Sequence, residues 1–291
     1  MEKEAIMQTK KLFLAAAPAA ACVAALGAGV PAAHAADSWN YMANLQPVSL
    51  NTPSGAASGH FMISINGDQA TVTETVSGLA DKLPTDKKTL DGLGIPVAFA
   101  GAPFPHVQHI HINGGGMCPT ASADTNGDGV ISTVEGQPAY GKIGTTLSTK
   151  GATDASTATD VTKAPGGGSF TYKRTFTLNQ ATLSAIKNNT AVVVVHGLNP
   201  ANAPKASLTT PNSLGVTLPG ARRKLALIGT APALCGKLEK SQMSTMPSGG
   251  VQTGGGGTSG LQDQGVFYGA GGLLLAAGAV LTVRRRFAKQ H

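Results

Sequence analysis

Apolar residues fall in two long unbroken runs near the ends of the chain and in short alternating stretches between them. In the middle, Phe61, Ile63 and Ile65 alternate with His60, Met62 and Ser64, the two-residue period of a strand with one apolar face. Asn66-Gly67-Asp68-Gln69 separates this stretch from a second, Ala70 to Val76, and Asn-Gly between two such runs signals a hairpin. Val107 to Ile112 predicts another strand. Phe170, Tyr172, Arg174, Phe176 and Leu178 share one face of a long one, with Arg174 the charged member. Ala191 to Val195 is almost wholly β-branched, which suits a buried central strand. Leu214 to Leu218 and Leu225 to Ile228 predict two more. A short helix is expected up to Lys187, with Asn179 as its cap. Short strands without alternating long helices predict an all-β sandwich or barrel. Two long loops, 78–105 and 113–168, interrupt it, and loops of that length usually carry a function or a ligand.

The two unbroken runs read as targeting and anchoring segments. Lys10 and Lys11 precede the run 12–30, and Ala33-His34-Ala35 follows it, the order of a secretory signal peptide ending at residue 35. Residues 265–283 carry no charge and are long enough to cross a bilayer, and Arg284-Arg285-Arg286 follows at once. The expected order is signal peptide 1–35, extracellular β-domain 36–240, Gly/Ser-rich tether 241–264, transmembrane helix 265–283 and cytoplasmic basic tail 284–291. This places the protein in the cell membrane by a single span, on a Gram-positive type of surface.

Composition agrees with a loop-rich β-domain: 38 glycines and 17 prolines in 291 residues, with only 13% charged residues. The formal net charge of +7 suggests nucleic acid at first sight. Seven of the 22 basic residues and two of the 15 acidic ones lie outside the apolar runs, however, leaving 15 against 13 between them. A domain so close to neutral gives no support to nucleic-acid binding. Any protein or carbohydrate partner is left open.

Two constellations carry chemistry. His106, His109 and His111 fall within six residues, and on a strand 109 and 111 share a face. His196 directly follows the β-branched run, so a neighbouring strand can present it to the pair. Imidazoles in this arrangement suit copper, zinc, nickel or iron. Asp124, Asn126, Asp128, Val130, Ser132 and Glu135 occupy the ligand positions of a twelve-residue calcium loop, with Gly129 at its turn and Ile131 pointing inward beneath it. Glycine- and proline-containing flanks predict that this loop lacks the usual paired helices. Cys118 and Cys235 are the two cysteines of the exported domain, and an oxidising compartment allows them to pair or to remain as two thiols.

The histidine segment His106-Val107-Gln108-His109-Ile110-His111 is similar to that of the copper/zinc superoxide dismutase superfamily, whose last two histidines there bind copper. Val193-Val194-Val195-His196-Gly197 resembles its strand carrying the distant copper histidine. Cys118 with Leu234-Cys235-Gly236-Lys237-Leu238 resembles its disulfide pair. The stretch from Ser54-Gly55-Ala56-Ala57-Ser58-Gly59-His60 to Val76-Ser77-Gly78-Leu79 also looks like a chordin-type (CHRD) domain. The resemblance covers residues 54–113 and 191–240. It implies an eight-stranded Greek-key sandwich, a 118–235 disulfide, and copper held by His109, His111 and His196, with His106 nearby or as a fourth ligand. The superfamily's zinc and bridging histidines have no counterpart, since no histidine lies between His111 and His196. Its guiding arginine has no clear one either, because Arg222 and Arg223 lie far from Cys235. The expected function is a surface-tethered, non-enzymatic, metal-binding β-domain with copper and calcium as its ions. The alternatives are a copper-dependent superoxide dismutase and a copper-binding or delivery protein.

Overall fold

The computed structural model describes residues 38–52 and 56–241. The expected signal peptide, most of the tether, the membrane span and the basic tail lie outside the described residues. Among those described, no helix is long and apolar enough to cross a membrane.

The fold is all-β. Nine antiparallel strands form one curled sheet: β1 (Ser38–Pro47), β2 (Ser58–Asn66), β3 (Gln69–Ser77), β4 (Gln108–Ile112), β5 (Lys142–Thr146), β6 (Ser169–Thr177), β7 (Val192–His196), β8 (Pro232–Lys237) and β9 (Glu239–Lys240). The spatial order is β5-β4-β7-β8-β1-β2-β3-β6, with the two-residue β9 beside β1. β7 returns to pair with β4 after β5 and β6 have intervened, a long return of the Greek-key kind. β1 joins two halves of the sheet. Its residues 38–45 pair with β2, while Gln46 and Pro47 pair with Cys235 and Leu234 of β8.

The expected hairpin is present, with Gly67 and Asp68 as its two-residue loop and Gly67 at φ 64°. Alternation then sorts the residues. Tyr41, Ala43 and Leu45 of β1, Phe61, Ile63 and Ile65 of β2, and Ala70, Val72 and Val76 of β3 all enter one core. Tyr172 and Phe176 of β6 join them. Arg174, on the same face, reaches out to the Ser148 carbonyl at 2.5 Å. The expected short helix, α3, runs Gln180–Lys187, and the Asn179 side chain caps it by accepting from the Thr182 N–H at 2.8 Å.

β4 and β7 are buried along their whole length because they are covered on both faces. Ile110, Ile112, Val193 and Val195 point into the main core. Val192 and Val194 point the other way, into a second cluster with Val48, Ile131, Tyr140 and Cys235. This second cover is built from the long loop 113–168, which contains helix α2 (Thr133–Tyr140) and strand β5. The Cys118–Cys235 disulfide ties that loop to β8 across 117 residues of sequence. Asn51 ties it down again from a fully buried position: its amide donates to the Ile131 and Pro232 carbonyls, and its oxygen accepts from the Ile131 N–H.

The sequence pattern and the structure part company in several places. Leu214–Leu218 is irregular, and Leu225–Ile228 runs into a single 3-10 turn at Leu227–Gly229, with only an isolated bridge between Pro211 and Ala226. Val216, Leu218 and the residues 225–228 are held as side-chain cover over the main core instead of as a ladder, while Leu214 is exposed. Conversely, β1, β5 and β8 are strands that the pattern did not predict. The loop 78–105 also holds a helix, α1 (Lys87–Leu93), capped by Asp86.

One buried group has no obvious service in the fold. Glu74 on β3 is fully buried, and neither carboxylate oxygen has a hydrogen-bond partner. Burial pushes its pKa up to about 8, against a weaker opposing pull from the neighbouring Gln108 amide, which lies outside hydrogen-bonding geometry. A raised carboxyl pKa contributes stability that is full below the ordinary value near 4.5 and is lost as pH climbs through about 8. Glu74→Gln should therefore melt near the wild-type temperature at pH 4 and above it at pH 8. The gap is expected to approach the order of 4 kcal/mol. Parallel melting curves at both pH values would contradict it. For the disulfide, Cys118→Ser with Cys235→Ser should cost about 2–5 kcal/mol in denaturant titrations. An unchanged midpoint would mean that the cross-link does not hold the loop.

Candidate metal centre

The sheet places three imidazoles on its outer face. His109 pairs across the ladder with Val194, and His111 with Val192. Both valines belong to the outer cluster, so the two histidines project outward with them. His196 lies two residues beyond Val194 on β7, past an irregularity at Val195, and joins the same face. The ring centroids of His109 stand 5.4 Å from those of His111 and 5.2 Å from those of His196; His111 and His196 are 6.0 Å apart. All three side chains are buried, and one ring nitrogen from each lies within 4.8 Å of the others.

Which nitrogens converge is decided by the carbonyls around the rings. His109 Nε2 lies 3.1 Å from the Ala158 carbonyl, His111 Nδ1 2.9 Å from that of Gly141, and His196 Nδ1 2.6 Å from that of Thr230. A carbonyl only accepts, so the nitrogen facing it carries the proton and donates. The remaining nitrogens, His109 Nδ1, His111 Nε2 and His196 Nε2, are buried with no partner. Each therefore keeps a lone pair unengaged, on rings that stand against one another.

The three carbonyls share a structural origin. Gly141 is the C-cap of α2, Ala158 that of the 3-10 turn Ala155–Thr157, and Thr230 that of the 3-10 turn Leu227–Gly229. The last carbonyls of a helical turn lack partners within it, and here an imidazole N–H supplies one. At Gly141 the backbone has φ 96°, and a Cβ would collide with the Ile112 carbonyl oxygen, so glycine is required to aim that carbonyl at His111.

Electrostatics keeps the rings neutral. Burial lowers the His109 pKa well below its ordinary value, and the neighbouring His196 and His111 lower it further. Burial, followed by the proximity of His196, brings His111 down to about 3, and burial brings His196 down to about 4. Neutral imidazoles with free lone pairs are the form that ligates a metal. A second ring nitrogen hydrogen-bonded to a carbonyl is the arrangement that orients such ligands. The donor set therefore fits a first-row transition metal ion held by three histidines.

His106 is not brought to this cluster. Its Nδ1 lies 3.1 Å from the His196 carbonyl and its Nε2 3.0 Å from that of Ala80; burial keeps the ring neutral, so it donates to one of the two, and both nitrogens face carbonyls away from the cluster. The ring is stacked between Phe104 and Phe170 on the inner side. It lies against the backbone of His196 instead of joining the cluster.

The calcium-type loop is folded around its own backbone. Asp124 accepts from the Gly127, Asp128 and Gly129 N–H groups, Asn126 from Asp128, and Asp128 from Val130. Ser132 is the N-cap of α2, and Glu135 completes a capping box while also accepting from the Thr125 and Asn126 N–H groups. A helix thus does follow the loop where Gly136 and Pro138 point to none, because the capping box starts it and it runs on in spite of Pro138; before the loop stands a 3-10 turn, Ala121–Ala123, so the usual pair of α-helices is not formed. Val130 and Ile131 are buried, with Ile131 inward as expected. Among the described residues, the grouping of His, Cys, Asp and Glu close enough to share an ion is the three histidines.

A cavity of about 350 Å³ opens above the cluster and includes all three histidines in its wall. Its other walls come from α2, β5, the 155–161 segment and the irregular stretch 214–230. Sequence reasoning found the histidines but not the three backbone carbonyls, Asn51 or this cavity. Of these, only the glycine at 141 leaves a trace in the sequence. No protein-family model matches the chain, and no curated protein is significantly similar to it.

Proposed function

We propose that residues 36–240 form an exported, surface-tethered metal-binding β-domain that holds one first-row transition metal ion through His109 Nδ1, His111 Nε2 and His196 Nε2. The observation that carries this reading is the convergence of three buried, unpartnered lone pairs on rings whose other nitrogens are occupied. Copper is the ion proposed, because imidazole sites follow the order of affinity that peaks at copper(II). The resemblance at His109, His111 and His196 to the copper/zinc superoxide dismutase superfamily points the same way. The role is binding, without turnover. A second reading, copper-dependent superoxide dismutation, draws support from the cavity that gives access to the cluster. A copper ion there would supply one-electron redox chemistry, while the chain's residues would orient it and exclude bulk water.

Copper titration of the purified full-length protein, followed by electron paramagnetic resonance, tests the site. One equivalent with nitrogen couplings is expected. His109→Ala, His111→Ala and His196→Ala should each weaken it at least tenfold. His106→Gln should lower the melting temperature yet leave the stoichiometry at one. Binding indifferent to the three substitutions, or lost equally with His106→Gln, would overturn the assignment. Superoxide consumption proportional to bound copper would favour the enzymatic reading over the binding one.

Calcium at 124–135 is proposed on the order of its oxygen-bearing residues along the sequence; the Asp124 and Glu135 carboxylates here accept from backbone N–H groups of the same loop. Millimolar calcium should raise the melting temperature, and Asp128→Ala should abolish the rise. Identical melting in chelator and in about 5–10 mM calcium would exclude it.

A further inference from the structure

The cavity above the histidines has a character that a bare metal site does not explain. Its walls are mainly apolar, with Ile143, Val161, Val216, Leu218 and Leu225 among them. Leu214, also in the wall, is 49% exposed, so the cavity reaches the surface there. Lys142 is the one charged residue of the lining among the described residues, and it too is exposed. No carboxylate lines the space. Three neutral imidazoles leave a divalent ion with its whole charge, in surroundings too apolar to screen it well. The cavity therefore favours an anion next to the metal. Apolar walls hold water poorly, and a volume of this size falls at the small end of the range for organic ligands. A diatomic anion or an inorganic oxyanion would neutralise the ion but leave the walls uncovered.

We propose that this cavity binds a small apolar monocarboxylate, its carboxylate directed to the metal and its hydrocarbon body against the valine and leucine walls. The inference rests on the metal-centre reading above and adds the class of ligand that the centre accepts. One anionic head answers the charge of the ion, and one apolar body replaces the water that the walls disfavour. Leu214 at the mouth is the point of entry.

The test uses the full-length protein loaded with one equivalent of copper(II), with loading verified before each experiment. Calorimetric titration compares phenylacetate with acetate, which has the same head and no body, and with phenylacetamide, which has the body and no charge. Phenylacetate is expected to bind at least tenfold more tightly than either and to alter the copper resonance spectrum. Leu214→Asp, at an exposed position that leaves the core untouched, should weaken phenylacetate about threefold or more, whereas Lys142→Glu, whose ladder partner Ile112 faces away from His111, should change it less than that. Two results would overturn the inference while leaving the metal centre standing: copper loads normally but phenylacetate binds no better than acetate, or its binding is indifferent to Leu214→Asp. Failure of copper to load would instead remove the metal-centre reading, and this inference with it.

Discussion

Each of three buried imidazoles gives one nitrogen to a backbone carbonyl and is left with the other facing its two neighbours. The rest of the outer face depends on that division. A buried nitrogen without a partner costs free energy, and three of them pointing into one space is an arrangement that packing alone would not favour. An ion coordinated by all three would satisfy them together. The sheet supplies spacing, since alternate residues of β4 and a displaced position on β7 put the rings side by side. The loops supply orientation. Each carbonyl that accepts from one of these three rings ends a helix or a single helical turn, and that of Thr230 accepts from the Thr133 hydroxyl as well.

The second covering layer on β4 and β7 follows from the same need. A sheet with one face in water would leave the histidines solvated and their carbonyl partners absent. Here the 113–168 loop is pulled over the sheet by the Cys118–Cys235 bond and by Asn51, which hydrogen-bonds to both the loop and β8 from beneath. Val192, Val194, Ile131 and Tyr140 then fill the space between sheet and cover. The cover does not close completely, and the gap above the rings is the cavity. His106 lies on the other side of the sheet against the carbonyl of His196, the residue whose ring reaches the cluster.

Much of this was legible in the sequence, for identifiable reasons. His109 and His111 two residues apart declare a shared strand face, and Ala191–Val195 declares the neighbouring buried strand that carries His196. The 66–69 turn and the Asn179 cap are local signals, and both hold. Other parts were hidden. In β1, Tyr41, Ala43 and Leu45 do alternate inward, but asparagines and a small alanine dilute the pattern. β8 begins at a proline and contains a glycine, both poor strand formers, and it is held in place by partners on either side. Leu214–Leu218 looked like a strand because it is apolar, yet its leucines serve as cover for a core and wall for a cavity. His106 looked like a ligand because it sits in a cluster by sequence, while the strand begins only at Gln108 and does not carry it to the outer face. Backbone carbonyls have no sequence signature at all, so the feature that decides which ring nitrogens stay unpartnered is found only in three dimensions.

The most direct test of this account is the tautomeric state of the metal-free protein, read from long-range nitrogen–proton correlations of the imidazole rings at neutral pH. The account predicts three neutral rings with fixed tautomers, the proton on Nε2 in His109 and on Nδ1 in His111 and His196. Rings that exchange between tautomers, carry a second proton, or place the single proton on the converging nitrogen would contradict it.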